Sequence, residues 1–253
     1  MKAFTVLFLA HILGDFYFQP QFLAERKEGS FGWLLLHCAI YAASAAACLL
    51  LLGGSFIVAA GIAAVSHLVI DCVKFIVLKS TAKAGVLTVS GERAAFCIDQ
   101  MLHITFIAAA SLLVTAREQP QVPPYMDGLT ALTGVDAYRI LAYAALALGV
   151  LKPANVFIKR IMNSRKPDEE PTLAENESVR SGRYIGGLER LLMITLMALK
   201  QYGSIAIVFT AKSIARFRRL DDKDFAEYYI FGTLLSAVTA AGMFVLLKLF
   251  GTL

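Results

Sequence analysis

Val65-Ser66-His67-Leu68-Val69-Ile70-Asp71-Cys72-Val73-Lys74 sits within an apolar run from about Phe56 to Leu78, yet it carries a histidine, an aspartate and a lysine. A run of roughly 18 apolar residues reads as a transmembrane helix, and ionisable groups in hydrocarbon are costly enough to mark an interior-facing site. A spacing of four puts His67 and Asp71 on one helical face, with Lys74 on about the same face. The pattern recurs on either side of this stretch. His11 precedes Asp15 and Asp99 precedes His103, again by four residues, while His37 stands alone in another apolar run. All four histidines therefore fall in lipid-length segments.

Composition agrees with this reading. With 58% hydrophobic and 17% charged residues and a mean hydropathy of +0.65, the chain is too apolar for a soluble protein. The net charge of +5 does not point to nucleic acid, because the basic residues fall in short loops beside spans, where the positive-inside rule accounts for them. Cys38, Cys48, Cys72 and Cys97 form no CxxC pair and read as small packing residues.

The fold class is an all-α, polytopic transmembrane bundle with about six full spans. These cover Ala3 to Gln19, Phe31 to Gly53, Phe56 to Leu78, Ala94 to Ala116, Ala137 to Phe157 with a kink at Pro153, and Glu227 to Phe250. Arg117 to Asp136 is expected to be a polar connection, and Lys159 to Arg183, which includes Lys166-Pro167-Asp168-Glu169-Glu170, a cytoplasmic linker. Tyr184 to Phe217 is broken at Lys200-Gln201-Tyr202-Gly203, which predicts a re-entrant helical hairpin with the break at its tip. The organisation expected is a four-span His/Asp-bearing domain over residues 1–116 and a C-terminal membrane region over 117–253.

Arg26, Lys27, Lys79, Lys83, Arg93 and the basic residues of 159–183 place these loops in the cytoplasm and the N-terminus outside. Spans one and three then run inward and read His before Asp, whereas span four runs outward and reads Asp before His. In all three pairs the aspartate is nearer the cytoplasm. At a rise of about 1.5 Å per residue, the seven groups fall in one layer in the inner half of the bilayer.

Imidazole and carboxylate are the usual ligands of Zn, with Mn and Fe as alternatives, so His11, His37, His67, Asp71 and His103 are the candidate ligands of a divalent metal. The surplus suits hydrogen-bonded support or a second ion. Asp15 and Asp99 are candidates for accepting the proton of a metal-bound water. Lys74 and Arg190 are candidates for stabilising developing negative charge, Arg190 from a cytoplasmic group with Glu189, Lys212, Arg216 and Glu227. The bland alternative is that each pair is a His–Asp bridge gluing helices.

Together, His11-x3-Asp15-x3-Gln19, His37, His67-x3-Asp71-x2-Lys74 and Asp99-Gln100-x2-His103 resemble the bacterial membrane proteins grouped as domain-of-unknown-function family 3307. Ile185-Gly186-Gly187-Leu188-Glu189-Arg190 and Lys212-Ser213-Ile214-Ala215-Arg216-Phe217 resemble longer members. The resemblance implies a bacterial inner-membrane protein and supplies no reaction. From the residues, the expected function is a metal-dependent hydrolase acting on a membrane lipid or lipid-linked substrate. A cation- or proton-coupled transporter and a non-catalytic scaffold are the rivals.

Overall fold

The computed structural model describes residues 2–47, 49–117, 123–162 and 173–250, and helices account for nearly all of them, with no strand among the described residues. The helices are α1 (Lys2–Ile12), α2 (Gln21–Gly29), α3 (Phe31–Ala47), α4 (Leu49–Leu52), α5 (Ile57–Lys83), α6 (Val89–Arg117), α7 (Pro124–Thr133), α8 (Ala137–Met162), α9 (Leu173–Ala198), α10 (Tyr202–Arg216) and α11 (Lys223–Leu249). Among the described residues, five stretches are long and apolar enough to cross a membrane: Phe31–Leu52, α5, α6, α8 and α11. The sixth expected span, α1 with its continuation through Leu13–Tyr17, is shorter, and every residue from Ala3 to Ile12 is buried by protein.

Two compact units divide the chain, Met1–Ala145 with Leu247–Leu253 and Leu146–Leu246. In the first, α1 packs against α3, α5 and α6. Phe4, Val6, Leu7 and Ile12 supply its apolar contacts, and Phe4 stacks on Phe8 and Phe250. The helices around it are polar inside and apolar outside. On α5, Val65, Val69, Val73 and Ile76 are exposed while His67 and Asp71 are buried; on α6, Ile98, Met101, Leu102 and Phe106 are exposed while Asp99 and His103 are buried. A water-soluble bundle has the opposite arrangement, because exposed apolar stripes are unfavourable in water and cost nothing in lipid. This inversion makes the chain a membrane protein.

In the second unit, Gly187 of α9 lies against Leu151 of α8, and Gly232 of α11 against Met162, so that a Cβ would meet Leu151 Cδ2 at 3.3 Å and Met162 Cε at 2.9 Å. Small residues at helix contacts permit the close backbone approach on which packing in lipid depends. Helices α9 and α10 form a hairpin. Its turn is closed by Lys200 in the left-handed region (φ 59) and by the Gln201 N–H donating to Leu196 O at 2.8 Å.

Two expectations are corrected. The connection after α6 is not simply polar loop, because Pro124–Thr133 is helical, started by proline and stopped by Gly134 at φ 68. The stretch expected to be a soluble linker is helical at both described ends, as α8 runs on to Met162 and α9 begins at Leu173. The Lys166-Pro167-Asp168-Glu169-Glu170 segment and Cys48 lie outside the described residues.

Candidate functional site

Three helices and one turn of the first unit bring six of the seven His and Asp side chains into direct contact. α3 supplies His37, α5 supplies His67 and Asp71, and α6 supplies Asp99 and His103. Asp15 comes from the π-helical turn Leu13–Tyr17 that prolongs α1. Glycine at position 14 lets this turn approach α3 closely: a Cβ there would meet Tyr41 Cδ2 at 3.1 Å and Ser44 Oγ at 3.2 Å, so that those side chains would have to give way. The wider turn also changes the pairing expected from the spacing of four. Asp15 faces His37 Nε2 at 3.2 Å, and neither ring nitrogen of His11 has a hydrogen-bond partner among the described residues. His11 remains fully buried beside the cluster, its ring centroid 5.3 Å from that of His103 and 5.8 Å from that of Tyr41.

His67 is the hub. Its Nε2 lies 3.1 Å from His37 Nε2, its Nδ1 lies 3.3 Å from His103 Nδ1, and Tyr41 stacks on its face at 3.6 Å between centroids. Asp71 faces both flanking imidazoles. Its Oδ2 is 3.4 Å from His37 Nε2 and 3.9 Å from His67 Nε2, and its Oδ1 is 3.5 Å from His103 Nε2. His103 Nε2 is also 3.5 Å from Asp99 Oδ1.

Two lysines and a glutamine surround the carboxylates. Lys74 Nζ donates to Asp99 Oδ2 at 2.9 Å, and Gln100 Nε2 donates to Asp15 Oδ2 at 3.0 Å and to Asp99 Oδ2 at 3.2 Å. Lys27, on the short helix α2, donates to Asp71 Oδ2 at 3.3 Å and lies 3.8 Å from Asp15 Oδ1. The lysine side chains are the partly exposed members, at 13% for Lys27 and 21% for Lys74, against 3% for Asp71 and Asp99. Access to the cluster is therefore on the lysine side. Three carboxylates face two ammonium groups, leaving a site with a net preference for cations.

The arrangement around His37 Nε2 decides what such a site can hold. That nitrogen has His67 Nε2, Asp15 Oδ1 and Asp71 Oδ2 at 3.1, 3.2 and 3.4 Å, and a single N–H can donate to only one of them. Bonds of about 2.0–2.1 Å to a tetrahedral ion imply ligand-to-ligand distances of about 3.3–3.4 Å, which matches this set. Three groups of buried side chains, Asp15 with His37 and His67, Cys38 with His67 and Asp71, and Asp71 with Asp99 and His103, each offer ligand atoms within 4.8 Å of one another.

Sequence reasoning missed Lys27, which it read only as a topogenic charge, and it assigned Cys38 and Tyr41 no role at the site. For Lys27 the sequence carried no signal, because α2 had first to fold back against α3. Arg190 belongs to the second unit. There its Nε donates to Val150 O at 2.6 Å, Nη1 to Ser236 Oγ at 3.0 Å and Nη2 to Asn155 Oδ1 at 2.6 Å. Beside it, Glu189 pairs with Lys212 at 2.6 Å.

Residues 3–125, just under half of the chain, match the family described as protein of unknown function (DUF3307). The matched segment contains every His and Asp of the cluster. No curated protein and no solved structure matches the chain.

Proposed function

We propose that the His/Asp cluster is a divalent metal centre, Zn in the first instance, and that it hydrolyses a membrane-associated substrate from the cytoplasmic side of the bacterial inner membrane. The observation that carries the metal reading is the set of three ligand-type atoms at 3.1–3.4 Å from His37 Nε2. Hydrogen bonds alone leave two of those contacts without a proton, whereas a cation held by His37, His67 and Asp71 leaves Asp15 to accept from a bound water. Three neutral or anionic N/O donors with a position left open suit Zn, and Mn or Fe follow.

In this reading His37, His67 and Asp71 would hold the ion, which when bound would supply an activated water for hydrolysis. Asp15, beside His37, is placed to accept a proton from that water and to return it to the leaving group. Lys27 and Lys74 stand at the open side, where they attract an anionic headgroup and stabilise the charge that develops. Lys74 suits this role better than Arg190, whose three guanidinium nitrogens are already engaged. Location supports a lipid or lipid-linked substrate, because an aqueous substrate would not require a site within the bundle.

A transporter is the rival that the structure gives a specific reason to consider. His37, His67 and His103 form a continuous line of imidazole contacts along which a proton could pass. One comparison separates the two. Membranes carrying the wild type or Asp15→Asn are incubated with native lipid extract, and sealed vesicles of each are assayed for cation and proton uptake. Hydrolysis predicts a new headgroup product that Asp15→Asn abolishes, with no uptake. Uptake that depends on Asp15, with an unchanged lipid profile, would sink the hydrolase reading.

A further inference from the structure

We infer that the centre is built for two ions bridged by Asp71, an inference that rests on the metal reading above and extends it. The two carboxylate oxygens of Asp71 face different imidazoles: Oδ2 faces His37 and His67, and Oδ1 faces His103. Asp99 Oδ1 completes the second group, 3.5 Å from His103 Nε2. An ion held between His37, His67 and Asp71 Oδ2 would leave Asp71 Oδ1, Asp99 Oδ1 and His103 Nε2 as a second set of donors.

The second group carries its own evidence of a missing partner. Asp99 Oδ1 and His103 Nε2 belong to buried side chains, and neither atom has a hydrogen-bond partner among the described residues. Leaving a buried polar atom unsatisfied costs about 1–3 kcal/mol, and these two stand 3.5 Å apart, wide for a hydrogen bond and close to the spacing of two ligands on one ion. The other oxygen of Asp99 is fixed by Lys74 and Gln100, which turns Oδ1 towards His103. Lys74 therefore orients a ligand.

Charge follows the same division. Asp15, Asp71 and Asp99 against Lys27 and Lys74 leave one net negative charge with neutral imidazoles, and two divalent ions make the occupied site strongly positive. A phosphate or carboxylate group is the substrate chemistry that such a site takes. Two ions sharing a carboxylate sit about 3.5–4 Å apart and hold a water between them, stabilising both the attacking and the departing oxygen.

The test is metal stoichiometry and coupling in the full chain, purified in detergent without a metal-affinity tag or chelator. Elemental analysis after Zn²⁺ loading is expected to give two ions per wild-type chain and one per Asp99→Asn chain. Mn²⁺-loaded wild type is expected to give an exchange-coupled electron paramagnetic resonance spectrum, a readout that does not depend on any variant folding. One ion per wild-type chain overturns the bridge and leaves the single-ion hydrolase standing; two ions without exchange coupling overturn the bridge as well. No bound metal overturns both.

Discussion

Each unit buries charge in its interior, and the two do so in opposite ways. In the second, Arg190 is 2% exposed and each of its three nitrogens donates to one neutral acceptor drawn from α8 or α11. Its acceptor Val150 O lies three residues before Pro153, whose missing N–H weakens the helical hydrogen bonding of α8 at this point. The guanidinium thus ties α9 to the disturbed turn of α8 and to Ser236 of α11. In the first unit, by contrast, seven His and Asp side chains crowd together with ring nitrogens and a carboxylate oxygen left unpartnered. Arg190 is saturated and acts as a fastening between helices, whereas the unpartnered atoms of the His/Asp layer are what the proposed ligand-holding role requires.

The largest effect expected is a crossed one. Replacing both His67 and His103 with Ala should remove essentially all bound Zn²⁺, measured by elemental analysis on monodisperse protein, because each proposed ion loses an imidazole. Arg190→Ala should leave the metal content at the wild-type value and lower thermal stability in detergent by about 3 kcal/mol, since three buried acceptors lose their donor. Metal loss in Arg190→Ala with unchanged stability would reverse the assignment of the two units.

A smaller effect is expected at the turn that presents Asp15. Gly14→Ala places a methyl 3.1 Å from Tyr41 Cδ2 and 3.2 Å from Ser44 Oγ, so those side chains must give way. Overpacking of this kind costs about 1–3 kcal/mol. Because Asp15 moves with the turn, stability and metal affinity should fall together, as followed by thermal unfolding with and without Zn²⁺. Gly128→Ala, inside α7 with nothing within 4 Å of its added Cβ, is the control that should leave metal affinity unchanged and should not lower stability.

The helical spans were legible because long apolar runs carry the membrane signal independently of tertiary context. So was the break between α9 and α10, which the sequence marks with the polar run from Lys200 to Gly203. The inward convergence of the histidines also followed from spacing and orientation, since an ionisable residue cannot economically face lipid. The π-turn after Ile12 was not legible. Its Gly14 lies against residues about 30 positions away on α3, a tertiary contact that spacing along the chain does not report, and His11 and Asp15 do not pair as their spacing suggested. Lys27 was hidden for a related reason: a topogenic lysine and a site lysine look alike until α2 is folded back. Short helices such as α7 are set by capping and packing, and composition alone read that stretch as loop.

The smallest effect tests whether the His/Asp layer is also shaped by its apolar neighbours. Tyr41 covers the face of His67 with rings 8° from parallel and centroids 3.6 Å apart, and its ring also lies edge-on to His11. An aromatic pair of this kind contributes about 0.5–1.5 kcal/mol beyond the area it buries. Holding the His67 ring in one plane keeps Nε2 towards His37 and Nδ1 towards His103, so losing the stack should loosen the hub without removing a ligand. Tyr41→Leu is therefore expected to weaken Zn²⁺ affinity by about threefold to tenfold. Tyr41→Phe keeps the ring and should stay within about twofold of wild type in competition titration with a chelator. Equal losses in both variants would place the contribution on the phenolic hydroxyl, and the stacking account of how His67 is positioned would fail.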